Sequence, residues 1–222
     1  TLMYKFLDRL SPEDVQAIAA MVMLEMAEAG YAGVAEFHYL HHAPGGTTYA
    51  DLAEMTARIA AAAAETGLGL THLPVLYERG GCDGRALTTG QLRFGNDLER
   101  FGRLWEGAKR ALAGLPEDTV LGVAPHSLRA ASPEGVAMAA TLAPAAPIHI
   151  HVAEQAAEVV EVQAATGLRP VQWLLENHAM TSRWCLIHAT QMQPFETEGM
   201  ARTGAIAGLC PITEANLGDG IF

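Results

Sequence analysis

Two histidines and a glutamate stand close together in the segment PIHIHVAEQ, residues 147–155. His149 and His151 are two residues apart, so on a strand they point to the same face and lie roughly 6–7 Å apart in depth. Neutral imidazole is a common ligand of divalent metals, and a carboxylate such as Glu154 can accept and return a proton during hydrolysis. A buried, hydrogen-bonded histidine is the alternative. The deeper His149 fits that core role, whereas His151 at the strand end fits either role.

Histidines also end the two flanking strands. His126 lies in APHSLRA, residues 124–130, and His188 lies in LIHAT, residues 186–190. Buried imidazoles need hydrogen-bond partners, so core packing does not readily explain three successive strands that each end in histidine. The pattern favours a metal or catalytic site where these strands end.

Short apolar segments alternate with helical ones along the chain. Apolar runs bounded by glycine, proline or polar residues predict six strands. They cover residues 33–39, 69–77, 119–127, 147–152, 184–190 and 204–210. Helices are predicted to begin at the capping residues Ser11 and Ser132, each followed by proline. Further helices are predicted over about 48–66, 97–113, 154–166, 170–179 and 194–202. Strands separated by helices are expected to pair in parallel.

Two α/β architectures fit this alternation, a doubly wound sheet and a (β/α)8 barrel of the TIM type. The glycine-rich turn that would favour a doubly wound nucleotide-binding sheet is absent from the sequence. Polar residues instead recur at the carboxyl ends of the strands, which converge on one mouth in a barrel. The positions are Glu36, His38, Tyr77, His126, His151 and His188. We predict the barrel, and the glycine-rich stretch 78–96 is predicted to be a long loop of the kind found over active sites. Six strands do not close a barrel, so we expect the chain to be part of a larger one.

Composition and charge limit the classes of function. The 222 residues suit one large domain, and 50% hydrophobic with 18% charged residues is typical of a globular protein. A net charge of −11 makes nucleic acid and anionic membrane surfaces poor partners. Cys82, Cys185 and Cys210 are widely spaced without a C-x-x-C pair, which favours a reducing cytosol. Neither a membrane span nor a signal peptide is indicated, so we expect a cytoplasmic protein.

Several motifs together resemble a known superfamily. HIHVAEQ, WCLIHAT and GLCPITEANLGDGIF are similar to the amidohydrolase superfamily, in its cytosine-deaminase-like branch. AEFHYLHH and PHSLRA narrow the resemblance to the formimidoylglutamate deiminase family of histidine degradation. The resemblance covers essentially the whole chain. It implies a (β/α)8 barrel that holds one divalent metal ion, usually zinc, in a protein that is typically a homodimer.

The resemblance also implies roles for individual residues. His151 matches the metal ligand of the fifth barrel strand, and Glu154 matches the general acid and base. His188 matches the histidine beside the attacking water. The residues that match positions holding the glutamate portion of the substrate are Tyr39, His126 and Arg129. The remaining family ligands, an H-x-H pair on the first strand and an aspartate on the eighth, have no match. We therefore expect residues 1–222 to be the central part of the barrel, strands two to seven, with the end strands and any small β domain outside it.

The implied chemistry suits these residue types. In deimination, water attacks an amidine carbon and ammonia leaves. Zinc lowers the pKa of water that it binds to about 7. Glu154 can move a proton from the water to the departing nitrogen. His188 can orient the hydroxide or stabilise the developing tetrahedral centre. Arg129 offers a planar fork for a carboxylate, in line with a small anionic substrate derived from an amino acid.

Structural roles compete with these functional ones. Arg129 could pair with Glu134, and Tyr39 could be an amphipathic strand-edge residue. His41 and His42 are expected to be loop residues. Glu214 and Asn216 either shape the mouth of the site or form a turn.

Two other functions remain open at this stage. One is deamination of a nucleobase or another aromatic amine, which would require aromatic stacking groups. The other is a non-catalytic barrel that binds a small molecule.

Overall fold

The computed structural model describes residues 2–142, 144–220 and 222. Contacts divide the chain into two compact units. The first comprises Thr1–Glu78 and Leu87–Val123, and the second comprises Arg79–Ala86 and Ala124–Phe222. Among the described residues, no helix has the length and apolar character needed to cross a membrane.

The first unit is a parallel three-stranded arrangement with helices. Its helices are α1 (Leu2–Leu7), α2 (Pro12–Glu28), α3 (Glu54–Thr66) and α4 (Leu98–Leu112). Its strands are β1 (Gly33–His38), β2 (Gly69–Leu76) and β3 (Val120–Leu121), paired in that order. Tyr39 and Tyr77 follow β1 and β2, and the rings of both contact Phe94, at centroid distances of 4.8 and 5.8 Å. The first two strands therefore end on the same side of the unit, as predicted.

Local sequence accounts for the start of α2. The Ser11 side chain accepts a hydrogen bond from the backbone N–H of Asp14 at 3.1 Å, and the Asp14 carboxylate accepts one from the backbone N–H of Ser11 at 3.0 Å. This reciprocal pair stabilises the helix start that the serine and proline predicted.

The second unit carries the histidine-ended strands. Its strands are β4 (Ala124–Pro125), β5 (Ile148–Val152), β6 (Trp184–His188) and β7 (Ile206–Gly208). Its helices are α5 (Pro133–Leu142), α6 (Ala156–Thr166), α7 (Pro170–Asn177), α8 (Pro194–Thr203) and α9 (Pro211–Leu217). β5, β6 and β7 pair in parallel, with His151 opposite Ile187 and Val152 opposite His188. The expected parallel α/β organisation is thus confirmed in both units.

The structure corrects three predicted elements. The strand predicted over 119–127 is two short strands, β3 and β4. Between them, the carbonyl of Gly122 accepts a hydrogen bond from the Trp105 indole at 2.9 Å. The helix predicted from residue 48 begins at Glu54, after a turn in which the Asp51 side chain accepts from the N–H of Ala53. The last predicted strand, over 204–210, is the three-residue β7.

Buried histidines hold part of the first unit together. His41 and His42 lie in the loop after β1, as predicted, but both are buried. The Nε2 atom of His41 lies 2.9 Å from the carbonyl oxygen of Val75, and that of His42 lies 3.0 Å from the carbonyl oxygen of Gly95. These loop residues are therefore structural anchors, since buried polar groups are costly without partners.

Glu36 bridges two further histidines in the first unit. One carboxylate oxygen lies 3.1 Å from Nδ1 of His38, and the other lies 3.0 Å from Nδ1 of His72. Nε2 of His72 lies 3.1 Å from the Thr56 hydroxyl. Burial favours the protonated acid, but the charges and hydrogen bonds of His38 and His72 outweigh it and hold the pKa of Glu36 below its usual 4.5.

We expect Glu36→Gln to lower the free energy of unfolding at pH 7 by about 1.5–3 kcal/mol, the range of hydrogen bonds to a charged group. Because the pKa of Glu36 is lower in the folded than in the unfolded protein, its carboxylate stabilises the fold at pH values above the unfolded-state pKa. This stabilisation is lost as the pH falls. The gap between wild type and variant should therefore shrink below about pH 4.5. Denaturant unfolding from pH 7 to pH 3 measures this, and a pH-independent gap would contradict it.

Candidate active site

Five of the six predicted site residues line one pocket of about 360 Å³ in the second unit. They are His126, Arg129, His151, Glu154 and His188, joined there by Ile187, Cys210 and Thr213. The parallel β5 and β6 bring His151 and His188 to the same end of the sheet. The sixth residue, Tyr39, belongs to the first unit, where burial is the main cause that raises the pKa of its phenol. Its role in substrate binding stays a prediction.

His151 lies between two other imidazoles. Its ring centroid is 5.0 Å from that of His126 and 5.5 Å from that of His188, with which it is nearly parallel. Burial, followed by the neighbouring His188, lowers the pKa of His151 to about 4. His151 is therefore neutral near pH 7, which is the form that binds metals.

His149 shares a face of β5 with His151, as their spacing predicted. The opposite face is formed by Ile148, Ile150 and Val152, each with no exposed surface. His149 is only part-buried, and no hydrogen bond of its ring is found within the described residues. The prediction that His149 is a hydrogen-bonded core residue is therefore wrong in its hydrogen bonding. The core is formed by the aliphatic face of the strand.

The backbone is strained where β5 and β6 end. Ala153, His188 and Ala189 have φ values of 53°, 75° and 51°, a left-handed conformation that costs a non-glycine residue about 1–3 kcal/mol. Cross-strand hydrogen bonds hold these positions. The N–H of Ala189 donates to the carbonyl of Val152 at 3.2 Å, and the hydroxyl of Thr190 donates to that of Ala153 at 3.0 Å. Such strain is typical of functional sites.

Glu158 organises the segment that carries Glu154. Its carboxylate accepts hydrogen bonds from the backbone N–H groups of Ala153 and Glu154, both at 3.1 Å. Glu158 is 1% exposed, and burial raises the pKa of its carboxyl against the lowering effect of Arg129 and the two N–H donors. The sequence patterns did not point to Glu158. The available signal was an acid in the first turn of α6, where a helix favours negative charge.

The turn after β4 presents Arg129 to the pocket. Its Nη2 lies 3.8 Å from the Glu158 carboxylate, so the alternative pairing with Glu134 is wrong. Arg79 supports this turn, because its Nη2 donates to the carbonyls of Leu128 at 3.1 Å and Ala131 at 3.0 Å. The Nε of Arg129 is buried and has no acceptor among the described residues.

His126 precedes the same turn and is a neutral hydrogen-bonding group. Its Nδ1 lies 3.1 Å from the hydroxyl of Ser127, and its carbonyl accepts from the N–H of His151 at 3.0 Å. Burial, with His151 and Arg129 adding, lowers the pKa of His126 well below 6.5. His126 can therefore donate or accept a hydrogen bond in the pocket without adding charge.

Two carboxylates flank the ring of His188. Its Nε2 is 3.5 Å from Glu154, and its Nδ1 is 3.1 Å from Glu214. Glu214 and Asn216 lie in α9, so the alternative prediction that they form a turn is wrong. Glu214 is 5% exposed, and its contact with His188 supports the other interpretation, a role in shaping the site.

The donor set of the pocket fits a divalent metal in part. His151 supplies a neutral imidazole beside Glu154, and imidazole and carboxylate groups suit zinc. Within the described part of the chain, the one group of three possible donors with ligand atoms within 4.8 Å of one another is His188, Cys210 and Glu214. His151 does not belong to that group. Its three residues lie close together because His188 and the backbone N–H of Cys210 both hydrogen-bond to one oxygen of Glu214. The role of His151 as a metal ligand therefore stays a prediction.

Comparison with known proteins identifies the family. The model of the amidohydrolase family matches residues 2–222. The chain belongs to the amidohydrolase family.

Two relatives of this amidohydrolase chain are close in sequence. A formimidoylglutamate deiminase from Pseudomonas aeruginosa is 50% identical over 222 residues, which are 100% of this chain and 49% of that protein. The crystal structure of an amidohydrolase from Brucella melitensis is 56% identical with a TM-score of 0.97, and the match covers 100% of this chain and 49% of that one. The chain thus spans about half the length of these relatives.

A more distant structure shows the fold alone. An adenosine deaminase from Xanthomonas campestris, crystallised with bound zinc, is 21% identical with a TM-score of 0.74, covering 96% of this chain and 43% of that one. Together with the family match, these similarities confirm the predicted fold class, α/β of the TIM-barrel type.

Proposed function

We propose that this chain is part of an enzyme that hydrolyses N-formimidoyl-L-glutamate to N-formyl-L-glutamate and ammonia. The similarity to the Pseudomonas deiminase supports the proposal. The structural observation that carries it is the position of Arg129 in one pocket with His151, Glu154 and His188. The buried Nε–H of Arg129 is without an acceptor among the described residues, and a substrate carboxylate would supply one.

Four polar side chains of the pocket then have a task in the reaction. Arg129 and His126 hold the glutamate portion and orient the amidine toward the strand ends. The oxygen of water adds to the amidine carbon, and the bond from that carbon to the departing nitrogen breaks. Glu154 takes one proton from the water and passes it to that nitrogen. The second proton of the water follows as the carbonyl forms, so that the nitrogen leaves as ammonia. His188, whose Nε2 lies 3.5 Å from Glu154, orients the attacking water.

A divalent metal, most simply zinc, fits this arrangement with His151 as one ligand. When bound, such a metal acidifies water so that it becomes a nucleophile near neutral pH. Four protein ligands are usual for a closed zinc site and three for a catalytic one, so the other ligands would come from outside residues 1–222.

We expect the full-length protein to release one ammonia per N-formimidoyl-L-glutamate and to lose this activity after treatment with a chelator. Added Zn²⁺ should restore it, because metal removal takes away the group that activates water. An ammonia assay coupled to elemental analysis measures both. Formamidine, which lacks the carboxylates that Arg129 would bind, is the control substrate and should react far more slowly. Full activity without stoichiometric metal would contradict the metal assignment.

Deamination of an aromatic amine is less well supported. Among the described residues that line this pocket, none is phenylalanine, tyrosine or tryptophan, the larger rings that a nucleobase would stack on. Faster release of ammonia from cytosine or guanine than from formimidoylglutamate would favour this second function. Absence of turnover on either class would favour the non-catalytic barrel.

We further propose a cytoplasmic homodimer. Three free cysteines support a reducing compartment. The dimer rests on the resemblance to the deiminase family, and light scattering on the full-length protein tests it.

A further inference from the structure

One carboxylate oxygen of Glu214 accepts two hydrogen bonds. The Nδ1 of His188 lies 3.1 Å from Oε1 of Glu214, and the backbone N–H of Cys210 donates to the same oxygen at 2.8 Å. Glu214 lies on α9 and is 5% exposed, while His188 ends β6. The two residues are 26 positions apart in the chain, and the sequence motifs did not predict that they are in contact.

This contact determines which nitrogen of His188 carries a proton. An ionised carboxylate only accepts hydrogen bonds, so the imidazole nitrogen that faces Glu214 must be the donor. In the neutral form of the ring, the proton is therefore on Nδ1 and the lone pair is on Nε2. Nε2 is the nitrogen that lies 3.5 Å from Glu154 in the pocket.

The ring also needs an external support to keep its orientation. The backbone of His188 is left-handed, with φ at 75°, so the strand does not continue beyond it in a regular geometry. The ring stacks on His151 with an interplanar angle of 18°, which restricts its tilt. The hydrogen bond to Glu214 restricts the remaining rotation about the side chain.

We propose that Glu214 is the positioning residue of His188: it holds Nδ1 protonated and directs Nε2 at the reacting centre. The catalytic consequence rests on the proposed deiminase function. Glu214 does not act on the substrate. It acts through the tautomer and orientation of the histidine, as a carboxylate partner does for many catalytic or metal-binding histidines.

The direct test is the tautomer of His188 in the full-length protein. ¹⁵N-histidine NMR, with His188→Gln used for assignment, should show a protonated Nδ1 in the wild type. Glu214→Ala removes the acceptor and should lose that signature, whereas Glu214→Gln keeps an acceptor oxygen and should retain much of it. A wild-type His188 protonated on Nε2 alone would overturn the proposal, even if Glu214→Ala does not fold.

Kinetics separates positioning from binding. Glu214→Ala should lower kcat by about 10- to 100-fold, the usual cost of losing a carboxylate behind a functional histidine, with KM little changed. The matched control is Glu196→Gln. Glu196 is another buried carboxylate of the second unit, which accepts from Nε of Arg169 at 2.7 Å and does not line the pocket. The Glu196→Gln variant should be less stable than the wild type, while the His188 tautomer and kcat stay unchanged.

The outcomes are distinguishable from failure of the proposed function. If formimidoylglutamate is not hydrolysed but the His188 tautomer still depends on Glu214, the proposed function falls and the positioning role stands. If the substrate is hydrolysed and Glu214→Ala behaves like Glu196→Gln, Glu214 is only a structural residue and the positioning proposal falls.

Discussion

Glu154→Gln in the full-length protein is expected to lower kcat by about 10²–10⁴-fold, the range of general acid–base catalysis, while substrate and metal binding persist. The amide has almost the shape of the acid but cannot carry a proton from water to the leaving nitrogen. The backbone N–H of Glu154 would still donate to Glu158, so the segment should keep its conformation. Ammonia release measures kcat, calorimetry measures binding, and elemental analysis measures metal.

The matched control for this substitution is Glu161→Gln. Glu161 lies on α6 and accepts a hydrogen bond from the backbone N–H of Cys82, and it is not among the residues that line the pocket. Its kinetics should stay at the wild-type level. A drop in kcat of less than tenfold for Glu154→Gln, or a drop that is accompanied by loss of metal, would contradict proton transfer as the task of Glu154.

Arg129→Met is expected to raise KM and to lower kcat/KM for formimidoylglutamate by about 10²-fold or more, the scale of a lost charged contact of 2–5 kcal/mol. The guanidinium can meet a substrate carboxylate with two parallel hydrogen bonds, and methionine offers none. Arg129→Lys keeps the charge without the planar fork, so it should show an intermediate loss. Turnover of formamidine, which has no carboxylate, should be insensitive to both substitutions.

Arg129 also lies next to Glu158, so Arg129→Met can affect the enzyme in two ways that kinetics can separate. Removal of Arg129 takes a cation from the buried Glu158, 3.8 Å away, which in turn holds the backbone of Glu154. Damage through Glu158 would reduce kcat and stability, whereas loss of a substrate contact would raise KM. The double variant Arg129→Met/Glu158→Gln separates the two effects in a mutant cycle. If formimidoylglutamate kinetics are unchanged in Arg129→Met, the proposed substrate is wrong.

Sequence periodicity predicted the strands well where the local signal was strong. β5 and β6 are short apolar runs with β-branched or aromatic residues, and both were found close to their predicted bounds. The segment 119–127 has a similar composition, but it is interrupted at Gly122, whose carbonyl accepts a hydrogen bond from the indole of Trp105, 17 residues earlier in the chain. A partner so far away in sequence leaves no trace in a local pattern.

The composition of the strand ends by itself determined that His126, His151 and His188 belong to one site. Parallel strands in one α/β sheet bring their carboxyl ends to the same side, so residue type and strand order are sufficient for that inference. The motif resemblance added the predicted roles of Glu154 and Arg129, because each residue lies within one short motif, HIHVAEQ or PHSLRA.

Only the tertiary structure decided which carboxylates support these groups. In the sequence, Glu158 does not differ from other acids in the first turn of a helix, and Glu214 does not differ from other acids in a turn. The fold places them next to Arg129 and His188. Likewise, Arg79 reaches the turn of Arg129 from a loop 49 residues away from Leu128. Hydrogen bonds depend on distances of about 3 Å between atoms, and such distances between remote residues are set by packing of the whole unit rather than by spacing along the chain.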